Sequence, residues 1–405
     1  MRIIDTFDEK QIIREMEDIG VHPKGIPLML KKAINRVVKI EGVDIRQALI
    51  MKQEMLSVGG DASVSKGVMD LSAKRTDVLL IGSMKQYDGL IERLNGQPFG
   101  LSHISNQLRD MFSNYNKENF DLNCGKHCLR LSKRTYVMGI LNVTPDSFAD
   151  GGLYNDVEHA VLHAKQMVED GADIIDVGGE STRPGAEKVT VKEELKRVRP
   201  VIERLVNEIS VPISIDTYKS QVAKVCLDLG CHLVNDISGL RFSPEMKEIV
   251  AEYDVPVIIM HIKGTPRDMQ KAPRYKCVIS EITSYFKDRI AEALDSGIKR
   301  DKIIIDPGIG FGKTTSHNLE IIKRLREFKS LGYPILIGTS RKSLIGNVLD
   351  LPIEERLEGT AATVALSIMN GANIIRVHDV REMVRVAKMT DAIRLGVAYE
   401  DTKSG

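Results

Sequence analysis

The sequence contains no tryptophan, and aromatic residues make up only 5% of its 405 positions. Proteins that bind single-stranded nucleic acid stack the bases on aromatic side chains, so this composition argues against that class. Neither positive nor negative charge is in excess, because the chain has 57 Lys and Arg residues and 56 Asp and Glu residues. With a net charge of +1, the chain is predicted to bind neither nucleic acid nor an anionic membrane.

Long apolar segments and a cysteine framework are also missing. No run approaches the roughly 18–20 apolar residues that a membrane-spanning helix needs. The N-terminus reaches Arg2 and Asp5 too early for a signal peptide. The cysteines have no regular spacing and lie at positions 124, 128, 226, 231 and 277. An odd, scattered set argues against a disulfide scaffold and for a reducing compartment, so we expect a cytoplasmic protein.

A polar, Asn-rich stretch at residues 113–132 separates two parts of the chain. Downstream, short runs rich in Val and Ile alternate with helical patterns. The eight runs are Tyr136–Leu141, Asp173–Val177, Pro212–Ile215, His232–Ile237, Val255–Met260, Lys302–Ile305, Pro334–Ile337 and Asn373–Val377. Runs that are apolar on both faces are typical of buried parallel strands. Eight strand–helix units predict an α/β protein with a (β/α)8 TIM barrel over residues 131–400, and a doubly wound open sheet is the alternative.

Glycines and helical patterns support this division into elements. Val157–Asp170 and Ser220–Leu229 have helical patterns, and a glycine follows each of them as a stop signal.

Upstream, the pattern of residues 1–125 predicts a smaller α/β N-terminal domain. Its clearest elements are two helices, Arg46–Leu56 and Lys85–Leu94, and one strand, Thr76–Ile81. This domain contains no catalytic constellation, and the sequence leaves its role undefined.

Polar residues cluster directly after nearly every predicted strand of the second part. The clusters are Asn142–Phe148, Gly178–Gly185, Asp216–Thr217, Asn235–Asp236, His261, Asp306–Lys313, Ser340–Ser343 and Arg376–Asp379. A single Asp after a strand is often only a helix N-cap, and an Asp-Pro-Gly sequence is often only a turn. In a barrel, however, all strands end at the same face, where active sites form. Clusters in register after most strands therefore predict an active site at that face.

The chemistry of these clusters favours a flat heterocycle and an anion. Asp216, Asn235 and Asp306 can accept and donate hydrogen bonds in one plane, which suits an amino-pyrimidinone edge. A carboxylate matches a guanidine-like pair of N–H groups with two parallel hydrogen bonds. Donors and charge for an anion come from three further residues: Asn142, Arg376 and His378.

From about residue 131 to residue 395 the chain resembles dihydropteroate synthases. The motifs that carry the resemblance occur in the family's order: Gly139–Phe148, Asp176–Gly185, Ser214–Thr217, Asn235–Gly239, Asp306–Lys313, Ser340–Lys342 and Arg376–Asp379. The resemblance implies a transferase of folate biosynthesis. It would condense 6-hydroxymethyl-7,8-dihydropterin pyrophosphate with p-aminobenzoate to give 7,8-dihydropteroate and pyrophosphate. The first 130 residues look like an extension found in only some members.

The resemblance also assigns roles on the pterin side of the site. Asp216, Asn235 and Asp306 would bind the pterin edge. Lys342 would reach a ring oxygen or nitrogen, and Arg376 would lie along the pterin face. Arg376 would also contact the phosphates. The catalytic set that the resemblance implies consists of Asp216, Asp306, Lys342, Arg376 and His378.

On the other side of the pterin, the resemblance implies a place for pyrophosphate and for the amine. Asn142 would help to hold Mg2+ and pyrophosphate, and His378 would bind the phosphates. A mobile loop with Thr182, Arg183 and Pro184 would cover the amine.

Two residues are expected near p-aminobenzoate itself. Phe148, with Pro184, would flank its ring. Ser343 would lie near its carboxylate, at the start of a helix whose N–H groups favour an anion. By resemblance, the protein is also expected to form a homodimer.

Two other functions would use the same pterin residues. A methyltransferase barrel would move a methyl group from methyl-tetrahydrofolate to a corrinoid partner, and a non-catalytic sensor would only bind pterin. Neither has an evident use for the loop Ser181–Gly185 or for the pair Arg376 and His378, which suit pyrophosphate. The synthase is therefore the preferred interpretation.

Two local patterns imitate other sites. Gly312, Lys313 and the following Thr resemble the end of a P-loop, but Pro307 occupies the position of the first required glycine. Cys124, His127 and Cys128 lack the second pair of ligands that a structural zinc site needs. Neither pattern predicts a site.

Overall fold

The structure is a computed structural model that describes residues 1–4, 9–131, 134–144, 152–181 and 188–396, with the backbone alone for 152–155. The chain forms two compact units, Met1–Ser113 and Asn114–Gly405. Within the described ranges, none of the helices combines the length and the hydropathy that a membrane span needs.

The first unit is a small α/β fold with an antiparallel sheet of order β1-β3-β2. Its elements are α1 (Glu9–Asp18), α2 (Ile26–Ala33), β1 (Asn35–Asp44), α3 (Ile45–Ser57), β2 (Asp61–Val64), α4 (Lys66–Met69), β3 (Arg75–Ser83), α5 (Met84–Asn95) and α6 (Leu101–Tyr115). Capping boxes fix the starts of α3 and α5, where Asp44 pairs with Gln47 and Ser83 pairs with Gln86. The two predicted helices and the predicted strand are confirmed.

The second unit contains an eight-stranded parallel barrel. Its strands are β6 (Tyr136–Asn142), β7 (Ile174–Gly178), β8 (Ile213–Asp216), β9 (Leu233–Asp236), β10 (Val257–Met260), β11 (Ile303–Asp306), β12 (Leu336–Ile337) and β13 (Ile374–Val377). The sheet order is β11-β10-β9-β8-β7-β6-β13-β12. A parallel bridge between Ile305 and Ile335 joins its two ends. All eight predicted strands are confirmed, and the sheet closes into a barrel rather than staying open.

Helices follow the strands and cover the outside of the barrel. They are α7 (Gly152–Glu169), α8 (Val191–Glu208), α9 (Ser220–Asp228), α10 (Met246–Glu252), α11 (Val278–Asp295), α12 (Thr315–Lys323), α13 (Ser343–Leu349), α14 (Leu357–Met369) and α15 (Val380–Leu395). The predicted stop signals after α7 and α9 are confirmed, since Gly171 and Gly230 have φ values of 102° and 108°. Such a backbone turns the chain back toward the next strand at little steric cost only for glycine.

The floor of the barrel is apolar, and a hairpin closes it. The first inward side chains of most strands form one buried cluster: Met138, Ile174, Leu233, Ile258, Ile304, Leu336 and Ile374. Leu122, Cys124 and Leu129 pack against this layer from the antiparallel hairpin of β4 (Asp121–Cys124) and β5 (His127–Arg130). The hairpin lies inside the predicted polar boundary, and its apolar face explains why the chain divides earlier, after Ser113.

The next layer of inward-facing side chains, above the floor, is polar. Because side chains of a strand alternate between its faces, residues two positions beyond the floor layer also point inward. On β7, β9, β11 and β13 these residues are Asp176, Asn235, Asp306 and Arg376. The fold therefore brings four polar side chains from distant parts of the sequence into the upper barrel.

Candidate active site

A buried arginine connects the polar residues at the centre of the barrel. The Nε of Arg376 donates to the Oδ2 of Asp176 at 2.6 Å, and its Nη2 donates to the Oδ2 of Asp216 at 2.6 Å. The amide Nδ2 of Asn235 donates to the same Oδ2 of Asp176 at 2.9 Å. Four side chains from β7, β8, β9 and β13 are thus locked into one hydrogen-bonded cluster, which we call the arginine cluster.

Two carboxylates share one guanidinium in this cluster, and burial makes that arrangement costly. The pKa of Asp216 is raised to about 7, mainly by burial; Arg376 opposes the rise, and the Asp176 carboxylate adds to it. The two carboxylates raise the pKa of Arg376 above its ordinary value, although burial disfavours its charge. Asp216 is therefore a proton acceptor whose state changes near neutral pH.

Asp306 and Lys342 form the opposite wall of the polar layer. Burial raises the pKa of Asp306 and lowers that of Lys342 to about 8, while each group counteracts the shift of the other. The Oδ1 of Asp306 accepts the N–H of Gly308 at 2.7 Å. The ammonium of Lys342 donates to the carbonyl of Ile309 and lies 4.6 Å from the ring centroid of Phe311. The carboxyl group of Asp306 and the amine of Lys342 are thus close enough to influence each other's charge.

The loop between β11 and α12 is held from below by Lys313. Its Nζ donates to the carbonyls of Gly308 at 2.9 Å, Phe311 at 3.0 Å and His261 at 3.3 Å. A Cβ atom on Gly308 would lie 2.1 Å from the carbonyl oxygen of His261, and a φ of 68° also favours glycine there. The side chain of Lys313 is 97% buried and points into the fold, unlike a P-loop lysine that reaches for a nucleotide.

Asn142 and His378 lie together at the rim. Both line an open cleft of about 440 Å3 between the ends of β6 and β13 and the helices α7 and α15. The hydroxyl of Ser340 accepts the backbone N–H of His378 at 3.2 Å and lies 3.0 Å from its Nδ1. A Ser340 hydroxyl that donates to Nδ1 would favour the tautomer with its proton on Nε2, and this N–H would suit an anion.

Five further residues were predicted to contact p-aminobenzoate. Ser343 is exposed and opens α13, a helix of only seven residues. Phe148, Thr182, Arg183 and Pro184 lie outside the described residues. The roles assigned to these five residues stay predictions.

Asp176 is the residue that sequence reasoning missed. It stands in a family motif, but the site prediction gave it no role. The signal was available, because Asp176 is the only charged residue inside β7 and lies two positions after the inward-facing Ile174. An ionisable residue in the middle of a buried strand demands a partner, and strand parity places it on the side of Arg376.

The described part of the chain contains no preformed metal site. Among the described residues, no group of three His, Cys, Asp or Glu side chains is arranged to hold a metal ion. Asn142 at the rim supplies one amide oxygen at most. Mg2+ retains several waters and is often bound through substrate phosphates, so this donor set fits only an ion that arrives with a phosphorylated ligand.

Comparison with known proteins identifies the barrel. Residues 138–378 match the family model described as pterin binding enzyme. A dihydropteroate synthase from Clostridium beijerinckii is 50% identical over 270 residues, which cover 66% of this chain and 98% of that protein. A crystal structure of the Clostridium difficile dihydropteroate synthase, determined in the presence of pteroic acid, superposes with a TM-score of 0.62 at 53% identity. The superposition covers 64% of this chain and 97% of the Clostridium difficile chain.

A longer relative also matches the first unit. A probable bifunctional folylpolyglutamate synthase/dihydropteroate synthase from Halobacterium salinarum is 41% identical over 398 residues, or 98% of this chain. The match spans only 47% of that relative's length. The family inferred from the motifs is thus confirmed, and the chain belongs to the dihydropteroate synthase family of pterin-binding enzymes.

Proposed function

We propose that the barrel condenses 6-hydroxymethyl-7,8-dihydropterin pyrophosphate with p-aminobenzoate to give 7,8-dihydropteroate and pyrophosphate. The observation that carries the proposal is the arginine cluster, which lines up acceptors for a pterin below a rim of anion-binding donors. The Clostridium difficile relative was crystallised with pteroic acid, a molecule that contains both a pterin and a p-aminobenzoate moiety.

The pterin would bind by its amino-pyrimidinone edge. Asp216 and Asp306 would accept its N–H groups, and the amide of Asn235 would add a donor and an acceptor. A neutral pterin satisfies these buried carboxylates without bringing further negative charge. Lys342, whose pKa is lowered to about 8 by burial, would donate to a ring oxygen or nitrogen.

The reaction replaces a carbon–oxygen bond with a carbon–nitrogen bond. The amine nitrogen attacks the pterin methylene carbon, the electrons of the carbon–oxygen bond leave with pyrophosphate, and the nitrogen then loses one proton to the departing pyrophosphate or to water. Arg376 uses Nε and Nη2 for the carboxylates, and its Nη1, which forms no hydrogen bond with the described residues, would contact the phosphates. The Nε2–H of His378 is the second donor for the developing charge. An aryl amine is already neutral at pH 7, so placing it correctly is the main task left to the protein.

Mg2+ is part of the proposal as a companion of pyrophosphate. Bound there, it would offset the negative charge of the leaving group. Asn142, at the rim, would contribute its amide oxygen as a neutral metal ligand. We further propose that Phe148, Thr182, Arg183, Pro184 and Ser343 contact p-aminobenzoate, a proposal supported by the family motifs alone.

A homodimer and a cytoplasmic location complete the proposal. The last three helices expose large apolar side chains that a second copy could cover: Val348, Leu349, Leu366, Met369, Met389 and Ile393. Light scattering after size-exclusion chromatography would report the mass, and a monomer at micromolar concentration would contradict the dimer.

The decisive experiment is pyrophosphate release by the full chain. It is run with pterin pyrophosphate and Mg2+, with p-aminobenzoate present or omitted. Release that requires p-aminobenzoate is the expected result. Absence of release from protein that binds pterin would overturn the proposal, and methyl transfer from methyl-tetrahydrofolate to a corrinoid would then be tested.

A further inference from the structure

An ion pair at the rim joins the segments that follow β12 and β13. The Nε of Arg341 donates to the Oδ2 of Asp379 at 3.0 Å, and its Nη2 donates to the Oδ1 of the same carboxylate. Both residues line the open cleft that also contains Asn142 and His378. We call this bidentate ion pair the rim pair.

The backbone of Arg341 has an unusual conformation that its neighbours hold. Its φ of 56° lies in the left-handed region, which costs energy for residues other than glycine. The N–H of Arg341 donates to the hydroxyl of Thr360 at 3.1 Å, and its carbonyl accepts a hydrogen bond from Arg356 at 3.0 Å. Such a conformation persists only where surrounding bonds determine it, and residues of this kind cluster at functional sites.

The rim pair and Ser340 together hold His378 from two sides. The hydroxyl of Ser340, one residue before Arg341, accepts the backbone N–H of His378 and lies 3.0 Å from its Nδ1. Asp379, one residue after His378, is bound by Arg341. Two consecutive residues after β12 are therefore bonded to two consecutive residues after β13.

Stability is a weak explanation for the rim pair. The side chain of Arg341 is 41% exposed, and that of Asp379 is 17% exposed. Ion pairs with such access to water usually contribute little to stability, whereas the left-handed backbone of Arg341 is a cost. The carboxylate of Asp379 also cancels the charge of Arg341, so the pair adds no net charge to the rim. The effect that remains is geometric, because the pair fixes where His378 lies.

We propose that Arg341 is a positioning residue that, through Asp379, fixes His378 and so sets the affinity for the pyrophosphate end of the pterin substrate. The inference rests on the proposed function, in which His378 contacts pyrophosphate. The pterin ring would bind deeper in the barrel, at Asp216 and Asp306. Loss of the rim pair should therefore weaken binding of pterin pyrophosphate and leave binding of a pyrophosphate-free pterin nearly unchanged.

Two single variants distinguish positioning from a simple effect of charge. Arg341→Asn removes the guanidinium, and asparagine tolerates a left-handed backbone. Asp379→Asn removes the carboxylate and leaves Arg341 as an uncompensated cation beside the pyrophosphate contacts. A rim pair that acted only through its charges would then make Asp379→Asn bind pyrophosphate more tightly. Positioning predicts weaker binding in both variants.

Calorimetry compares pterin pyrophosphate, in the presence of Mg2+, with 6-hydroxymethyl-dihydropterin. Both variants should raise the dissociation constant of pterin pyrophosphate about tenfold, which is the effect of losing one hydrogen bond to a charged group. The constant for the pyrophosphate-free pterin should change less than about twofold, since none of its hydrogen bonds is lost. Tighter binding in Asp379→Asn, or equal losses for the two ligands, would overturn the proposal.

Arg324→Asn is the matched control. Arg324 binds Glu327 through two hydrogen bonds of 2.6 and 2.9 Å and is 37% exposed, but it follows α12 on the outside of the barrel. Its replacement should change neither dissociation constant. Arg341→Lys keeps the charge but cannot form two parallel hydrogen bonds, so its effect should be intermediate.

A mutant cycle with His378→Ala tests whether the rim pair acts through His378. The double variant Arg341→Asn with Asp379→Asn removes the pair without changing the net charge of the rim. It should weaken binding of pterin pyrophosphate about tenfold in the unmodified chain and less than about twofold in His378→Ala, because the side chain that it positions is already gone. Equal losses in both backgrounds would contradict a role through His378 and overturn the proposal.

These binding measurements separate the inference from the proposed function. If the chain binds pterin pyrophosphate but releases no pyrophosphate with p-aminobenzoate, the proposed reaction falls, and the comparison of the two ligands still decides the role of Arg341. If the unmodified chain binds both pterins equally, the phosphate contact of His378 and this inference fall together. If circular dichroism shows that Arg341→Asn does not fold, Arg341→Lys decides, and an unchanged dissociation constant for pterin pyrophosphate in that variant overturns the proposal.

Discussion

Replacing Asp176 with asparagine should shift the pH dependence of pterin binding to lower pH. The Oδ2 of Asp176 accepts both hydrogen bonds, from Arg376 and from Asn235, while its Oδ1 is buried with no hydrogen-bond partner among the described residues. An asparagine whose carbonyl oxygen takes the place of Oδ2 can keep both bonds. The substitution therefore removes a charge and changes the shape of the site very little.

The size of the shift follows from the geometry of the arginine cluster. Asp176 and Asp216 bind neighbouring nitrogens of one guanidinium at 2.6 Å each. Their charges are then roughly 5 Å apart, and at an effective dielectric constant of about 20 they repel by about 3 kcal/mol. That repulsion corresponds to about two pKa units. A neutral asparagine binds Arg376 less tightly, so the cation can move and stabilise the charge of Asp216 less; we therefore expect the pKa of Asp216 to fall by about one unit only.

The sign of the effect on binding follows from the protonation of Asp216. Burial raises its pKa to about 7, so below that pH the carboxyl must lose a proton before it can accept two pterin N–H groups. Affinity should improve about tenfold per pH unit up to pH 7 and then level off. In Asp176→Asn the levelling point should move toward pH 6. Calorimetry with 6-hydroxymethyl-dihydropterin, which has no pyrophosphate, isolates this edge of the site.

Asp173→Asn is the matched control. Asp173 precedes the same strand and binds Arg134 at 2.9 and 2.5 Å, but it lies at the floor of the barrel. Its replacement should leave the levelling point unchanged. A levelling point in Asp176→Asn that stays at pH 7 or moves upward would refute the reasoning, and so would an equal shift in the control.

Three further substitutions test other parts of the site. Asp306→Asn should weaken binding of pterin pyrophosphate by roughly 10- to 100-fold, since a charged hydrogen bond is lost, and unchanged affinity by calorimetry would contradict its role. His378→Ala should raise the dissociation constant of pyrophosphate more than that of a pyrophosphate-free pterin, and equal changes would argue against a phosphate contact. Lys313→Met should lower the free energy of unfolding in urea by roughly 3 kcal/mol, because buried carbonyls lose their donor; an effect no larger than that of the exposed Lys323→Met would show that the bonds contribute little.

The fold was predictable because its strands are buried on both faces. Such strands produce continuous apolar runs, and eight of them, each followed by a helical pattern, correspond to the eight strands from β6 to β13. The hairpin of β4 and β5 escaped prediction for the opposite reason. Its strands have four residues each and alternate buried and exposed positions among Asn, Asp and His, so the local pattern is that of a polar linker.

The hydrogen bonds within the site were harder to predict from the sequence. Motifs predicted that Asp216, Asn235 and Arg376 belong to one site, but they did not indicate that two nitrogens of Arg376 bind carboxylates. The bond between Arg376 and Asp176 joins residues 200 positions apart and forms only because the barrel closes. The ion pairs of Lys219 with Glu180 and Glu194 likewise form only where the ends of β7 and β8 meet the start of α8, which spacing along the chain cannot specify.

The distribution of charge in the barrel sets the orientation in which a pterin pyrophosphate can enter. Below the rim, the carboxylates Asp176, Asp216 and Asp306 outnumber the cations Arg376 and Lys342, and burial raises the pKa of Asp216 and Asp306. A pyrophosphate pushed into this layer would meet buried negative charge, whereas a neutral ring with N–H donors relieves it. At the rim, His378 and Asn142 are the proposed pyrophosphate contacts, and the nearby carboxylate of Asp379 is paired with Arg341. A pterin pyrophosphate that satisfies both layers would therefore place its ring among the buried carboxylates and its pyrophosphate at the rim.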